Sequence, residues 1–273
     1  MSILNYNYNY KYDREKISYF YKIFGFVIIR NFFDTKKIKN IKKQILYLTK
    51  KKIKNKFFYY EKIEKKTKLR RIENVSDFLK TSKKIILSKK IFDTINMLEK
   101  GNYILFKDKL NFKFAGGEGY MSHIDGHFLW KDRSNHKQYG WKKYSNNFVN
   151  FVIPLEKTDK SNGCLYIARK SDTEKIGKNF KKIIKNLDPN KYTLTKKLIK
   201  KIKFYPIELN QGDLCIFNWK CAHFSKKNYS KNSRMIFYLT FCHKNKNKNL
   251  RKIYYFDKDK SKGSESEKSL IHN

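Results

Sequence analysis

His123-Ile124-Asp125 sets an imidazole and a carboxylate two residues apart. On a β-strand residues i and i+2 share a face, so both side chains would enter one cavity while Ile124 packs on the other side. A second imidazole, His223, follows about a hundred residues later, after a Gly212-Asp213 turn and an apolar run. Two imidazoles and one carboxylate converging from strands form the facial triad that holds non-haem Fe(II) and leaves coordination positions open. Arg234 stands 11 residues after His223, at the head of the apolar run MIFYLTFC, with no Asp or Glu near it in sequence. A guanidinium buried there needs an anionic partner, and a dicarboxylate held by its fork would supply one. His127 shares the face of His123 and Asp125 if the strand continues past Gly126. With Trp130 it is the candidate for substrate contact; Trp130 and Trp141 flank a polar loop at 131–140. A zinc hydrolase built on His123, Asp125 and His127 is a competing reading, but it leaves Arg234 unexplained.

These residues need strands to hold them. Residues 13–24 read as a helix ended by Gly25, Phe26–Arg30 as a short β-branched strand, and Thr35–Lys50 as a second helix. Apolar residues over 75–100 recur at helical spacing, so the first hundred residues are expected to be helix-rich. The pattern then changes to eight short β-branched and aromatic runs, at 103–106, 111–114, 120–124, 148–153, 164–168, 204–208, 213–218 and 234–242. Turn-formers separate them, among them Ala115-Gly116-Gly117-Glu118-Gly119 and Ser161-Asn162-Gly163. The expected fold class is α+β with a mostly β core: a double-stranded β-helix (jelly roll, cupin-like) with helices packed outside and a helix-rich N-terminal part. Residues 1–256 are expected to form one domain, with a helical insertion near 172–199 and a disordered tail over 257–273.

The chain has 273 residues, 40% of them hydrophobic and 16% aromatic, too much core material for a disordered protein. Its net charge of +40 invites a nucleic-acid reading, the main non-catalytic alternative: a Lys-rich nucleic-acid- or anion-binding protein on a jelly-roll scaffold. Only eight of the 64 basic residues are Arg, the residue that forks onto phosphates and base edges. The excess Lys accompanies abundant Asn, Ile, Tyr and Phe, all with AT-rich codons, so most of the charge reads as compositional drift on solvated faces. Nucleic acid is therefore not the expected partner, although the field would attract an anionic small molecule. The four cysteines form no CxxC pair and are expected as free thiols in a cytoplasmic protein. No apolar run reaches the ~18 residues of a membrane span, and MSILNYNYNY lacks the features of a secretory signal.

The segment 108–256 resembles the phytanoyl-CoA dioxygenase family of Fe(II)/2-oxoglutarate oxygenases. Lys109-Leu110-Asn111-Phe112-Lys113 followed by Ala115-Gly116-Gly117 is similar to the family's basic strand and Pro-Gly-Gly turn ahead of the HxD. Ser161-Asn162-Gly163-Cys164-Leu165 resembles its Asn-Gly-Cys-Leu turn, and Gly212-Asp213 with His223 and Arg234 resembles its second half. RKIYYFDK at 251–258 resembles the closing segment of members acting on small polar substrates, and 25–33 resembles the opening strand. The resemblance implies iron ligation by His123, Asp125 and His223, and pairing of Arg234 with the distal carboxylate of 2-oxoglutarate. It places Ser225 on the same carboxylate, Trp141 near the cosubstrate, and Lys113 within reach of a 2-oxoglutarate oxygen. The implied reaction consumes O₂ and 2-oxoglutarate, releases succinate and CO₂, and hydroxylates a C–H bond, with ascorbate as the reductant in vitro. Related halogenases carry a small residue where this chain has Asp125, so hydroxylation rather than halogenation is expected. The chain departs from the family at Ala168-Arg169-Lys170-Ser171, where Pro-Gly-Ser-His is usual, and this weakens inference about the substrate.

Overall fold

In the computed structural model, residues 7–9, 13–50, 57–79, 83–85, 87–125, 129–131, 134, 136–176, 193–245 and 248–260 are described. Strands β1 (Asn7–Asn9), β2 (Phe26–Arg30), β3 (Phe58–Ile63), β4 (Lys66–Glu73), β5 (Tyr103–Lys113), β9 (Phe148–Pro154), β12 (Leu214–Asn218) and β14 (Arg234–His243) form one sheet, ordered β1-β2-β12-β9-β14-β5-β4-β3. Strands β6 (Tyr120–Ile124), β10 (Leu165–Ala168), β11 (Phe204–Ile207) and β13 (Ala222–Ser225) form a second, ordered β11-β10-β13-β6. A separate pair, β7 (Leu129–Lys131) and β8 (Lys137–Tyr139), lies between β6 and β9 in sequence. All pairings are antiparallel except β1 with β2. The two large sheets close on a shared core of Val152, Phe217 and Ile236 from one and Leu165, Ile167 and Ile207 from the other. This is a jelly roll.

Helices cover the outer face of the large sheet. Helix α1 (Arg14–Phe24) buries Ile17 and Tyr21, and α2 (Thr35–Lys50) buries Ile38, Ile41 and Ile45. Helix α3 (Lys89–Leu98) buries Ile91, Ile95 and Leu98. These i, i+3, i+4 stripes meet Phe151, Phe237, Leu239 and Phe241, and each buried Ile contributes about 1.5–3 kcal/mol. With helices outside and the second sheet inside, β9 is buried at every position. Apart from Asn150 it therefore reads as a continuous apolar run rather than an alternating one.

Several expectations need correction. The N-terminal part also holds strands: the described residues of 75–100 form a 3-10 turn at Val75–Asp77, helical residues at 83–85 and α3, and the hairpin β3–β4 extends the large sheet. That hairpin escapes a hydrophobic pattern because it buries charges in pairs, Arg70 with Glu61 and Arg71 with Glu73. The runs at 103–106 and 111–114 are one strand, β5, with an irregularity in its register opposite Thr240/Phe241. The tail does not begin at 257, because helix α6 (Leu250–Lys260) runs on to Lys260. It is held by Arg251 on Asp108 (2.5 Å) and by Asp257, whose carboxylate accepts from Tyr144 Oη at 3.0 Å. The insertion contributes two short helices, α4 (Lys170–Glu174) and α5 (Lys196–Ile199); residues 177–192 and 261–273 lie outside the described residues. All four cysteines are free and buried. Among the described residues no helix is long and apolar enough to cross a membrane.

Candidate functional site

Strands β6 and β13 pair so that His123 and His223 stand opposite one another, their ring centroids 4.2 Å apart. Asp125, just past the end of β6, brings Oδ2 to 3.9 Å from His223 Nε2. One ligand atom from each of the three residues lies within 4.8 Å of the others. His123 Nδ1 is 2.7 Å from the Met121 carbonyl, and His223 Nδ1 is 3.0 Å from that of Cys221. A carbonyl only accepts, so each Nδ1 carries the proton and each Nε2 keeps its lone pair for a metal. Burial, reinforced by the neighbouring His223, pushes the His123 pKa down to about 3, and burial lowers that of His223 as well. Burial opposes ionisation of Asp125, but His223, Lys109, His123 and Lys107 together hold its carboxyl below the ordinary value. The result is two neutral imidazoles and one carboxylate, a donor set fit for a divalent metal.

Asn150 orients that carboxylate. It lies on β9, and its Nδ2 donates to Asp125 Oδ2 at 2.8 Å while its Oδ1 accepts from Thr240 Oγ1 at 2.8 Å. Sequence reading missed it, because a lone Asn in the run Phe148–Pro154 shows its role only once β9 is placed between β12 and β14. Asn150→Ala is expected to weaken metal binding about 10–100-fold, as loss of a partner of a ligand does. Co(II) titration of the purified variant checks this, and unchanged affinity would remove Asn150 from the site.

A second cluster lies at the other end of the same interior. Lys113 Nζ donates to Ser225 Oγ at 2.8 Å and also reaches the Lys226 carbonyl. Arg234, the register partner of Lys113, donates from Nη2 to the Gly163 carbonyl at 2.6 Å and from Nε to that of Asn162 at 3.2 Å. Gly163 has φ +74°, and a Cβ on it would meet the Lys226 carbonyl oxygen at 2.4 Å, so this turn requires glycine to reach the two cations. Lys113 and Arg234 are each 2% exposed, and Arg234 Nη1 is buried with no hydrogen-bond partner. Burial, then the charges of Arg234 and Arg70, hold the Lys113 pKa well below the lysine range. Arg70 is spent on Glu61 and the Gly119 carbonyl. Among the described residues neither of these two buried cations forms an ion pair of its own, and Glu61, the carboxylate whose charge reaches Lys113, is already paired with Arg70.

Asn111 shares the inward face of β5 with Lys113, and its Oδ1 is buried without a partner. It was not singled out from sequence. Trp141 packs in an aromatic cluster with Phe106 and Phe148, under Lys107 Nζ at 4.2 Å from its ring; no described contact joins it to Lys113, Ser225 or Arg234. Trp130 lies on β7. His127 lies outside the described residues. A cavity of about 570 Å³ beside the N-terminal end of β5, lined among others by Lys83, Lys244, Lys248 and Arg251, contains no member of the triad.

The family model "Phytanoyl-CoA dioxygenase (PhyH)" matches residues 21–236. The chain belongs to this family. A 2-aminoethylphosphonate dioxygenase from an uncultured bacterium is 29% identical over 171 residues, which are 63% of this chain and 58% of the relative. A methylphosphonate hydroxylase of Gimesia maris is 23% identical over 171 residues, 63% of this chain and 57% of the relative. The chain thus spans somewhat less than three-fifths of the length of these two relatives. Among solved structures, the epimerase SnoN in complex with Fe3+, alpha ketoglutarate and nogalamycin RO superposes with a TM-score of 0.64 at 12% identity, covering 84% of this chain and 83% of that one. EctD from S. alaskensis with 2-oxoglutarate and 5-hydroxyectoine superposes with a TM-score of 0.63 at 10% identity, covering 84% of this chain and 75% of that one. These structural likenesses carry the jelly-roll fold.

Proposed function

We propose that this protein is an Fe(II)- and 2-oxoglutarate-dependent dioxygenase that hydroxylates a C–H bond of a small, polar, anionic molecule. The observation that carries this reading is the pairing, inside one barrel, of a two-His, one-Asp triad with a buried Arg234 whose Nη1 has no partner. The triad fits Fe(II) in ligand type and would hold the metal with coordination positions left for other ligands. When bound, the iron and 2-oxoglutarate supply the oxidising chemistry, with succinate and CO₂ as by-products. His123, Asp125 and His223 hold the metal, and Asn150 fixes the Asp125 oxygen. Arg234, Lys113 and Ser225 receive the distal carboxylate of 2-oxoglutarate, completing the charge balance that the free protein lacks. The apolar walls, Phe217 among them with its ring 4.9 Å from that of His223, exclude water from the reacting centre. The names of the two phosphonate-oxidising relatives support an organophosphonate as substrate. We place the enzyme in the cytoplasm.

The test is purified protein with Fe(II), ascorbate, O₂ and 2-oxoglutarate, read as succinate, beside anaerobic formation of the visible Fe(II)·2-oxoglutarate charge-transfer band. Iron-dependent succinate and the band support the reading; absence of the band overturns it and moves the Lys-rich binding-protein alternative forward.

Cosubstrate binding is expected to depend on pH through Lys113. Its lowered pKa leaves the amine increasingly neutral as pH rises above that value. A carboxylate placed beside it favours the ammonium and raises the pKa again. Above the lowered pKa, 2-oxoglutarate must therefore bind with uptake of a proton, and its affinity falls as pH increases. Calorimetry in two buffers of different ionisation heat should register this uptake in the wild type and none in Lys113→Met.

A further inference from the structure

The cavity of about 570 Å³ beside the N-terminal end of β5 contains none of the residues placed on the metal or the cosubstrate. Four pieces of chain line it. They are the 3-10 turn with Ser76 and Asp77, the stretch holding Lys83 and Leu87, Ile104 and Leu105 of β5, and the passage from β14 into α6 with Lys244, Lys248 and Arg251. Arg251 reaches Asp108 at 2.5 Å, and strand alternation turns Asp108 to the face of β5 opposite that of Lys113. The cavity therefore belongs to the outer side of the large sheet, away from the barrel interior.

Its charges do not cancel. Arg251 is balanced by Asp108, with Asp77 at 3.6 Å, although its Nη1 stays buried without a hydrogen-bond partner. Asp108 is further engaged by the Ser76 amide at 2.9 Å. Asp77 is the one carboxylate among the described residues that line the cavity, and Arg251 and Asn74 already share it. The amines of Lys83, Lys244 and Lys248 form neither a hydrogen bond nor an ion pair among the described residues. Three unmatched amines thus open on one concavity, which also presents apolar surface: Leu87 is 41% exposed, and Ile104 and Leu105 line the same space.

Lysines scattered on solvated faces need no ligand. These three differ because they converge on a hollow with apolar surface, and a polar-rimmed apolar patch marks a binding site. The volume suits a small molecule, since such sites span about 300–1,000 Å³. Lysine amines bind phosphate as point charges, and three of them match a group with two or more negative charges better than a single carboxylate.

We propose that this cavity is a second ligand site, taking an organic phosphate of nucleoside-diphosphate type, with its phosphates on Lys83, Lys244 and Lys248 and its apolar body against Leu87 and Ile104. The site does not depend on the oxygenase reading.

The test is calorimetric titration of the full chain with ADP at ~0.15 M ionic strength, where the field of the chain's overall charge is screened beyond about 8 Å. ADP should bind saturably at one site and raise the melting temperature. Lys244→Gln with Lys248→Gln should raise the Kd about tenfold, as loss of two exposed charge contacts does, and shrink the ADP-induced melting shift. Both amines are exposed and unpaired, so without ADP this variant should melt like the wild type. Lys36→Gln with Lys37→Gln removes the same charge from exposed positions of α2 and should bind ADP like the wild type. Pyrophosphate should bind more weakly than ADP. No saturable ADP binding would overturn the proposal, and so would equal weakening in both double variants, which would reduce the effect to net charge. Pyrophosphate binding as tightly as ADP would remove the apolar half of the site and overturn it too. Arg234→Gln should leave ADP affinity unchanged; a loss there would put ADP in the barrel interior and end the proposal.

Discussion

His223→Ala is expected to abolish iron-dependent succinate formation and to lower metal affinity by more than about 100-fold, the upper range for losing a mere partner of a ligand. The effect should be this large because none of its described neighbours on β13 can replace the imidazole. Its β13 neighbours in sequence are Ala222 and Phe224, and Ser225 is occupied by Lys113 and the Tyr120 amide. The fold should tolerate the change better than the site does. His223 is buried and makes one backbone hydrogen bond, so truncation to Ala leaves a small cavity in a wall built by two other clusters. The distinguishing measurement is Co(II) or Fe(II) titration beside a melting curve of the metal-free protein. Lost metal binding with a cooperative transition retained is the expected pair. A variant that binds metal and turns over like the wild type would remove His223 from the triad and with it the oxygenase reading.

Arg234→Gln should act on the cosubstrate and leave the metal in place. Hydrogen bonds to a charged group contribute about 1.5–3 kcal/mol each. Loss of a two-bond fork therefore corresponds to an increase of about 100-fold or more in the 2-oxoglutarate requirement. Arg234→Lys keeps the charge but not the planar fork, and should recover only part of the loss. Arg234 also anchors the turn carrying Asn162 and Gly163, so either variant will cost some stability. Metal titration separates the two effects. A raised 2-oxoglutarate requirement with normal metal affinity assigns Arg234 to the cosubstrate, whereas parallel losses of both would mark a structural role.

The cluster of His123, Asp125 and His223 was legible in the sequence because the β period is two. His123 and Asp125 share a face on any strand, whatever surrounds it, and the structure brings His223 to the same place through the β6–β13 pairing. Arg234 was legible for an equally local reason: a lone guanidinium heading an apolar run must be buried, and no carboxylate is near it in sequence. Helices α1 and α2 announced themselves by apolar stripes and, for α1, by Gly25 at its end. The hairpin β3–β4 did not, since its buried positions are filled by Arg and Glu whose partners make burial tolerable only after pairing.

What the sequence could not rank, register did. Asn150 and Asn111 are neutral residues in apolar runs; only the placement of β14 between β5 and β9 sets Asn150 on Asp125 and Asn111 on the same interior face. Lys83, Lys244 and Lys248 are three of 56 lysines, and nothing local separates them from those on solvated faces. Only the folded chain gathers them around one cavity. Residue types and their spacing thus determined which chemistry was possible. Which of many cations serve it was decided by tertiary structure, because whether a charge is solvated or faces a cavity depends on what folds over it.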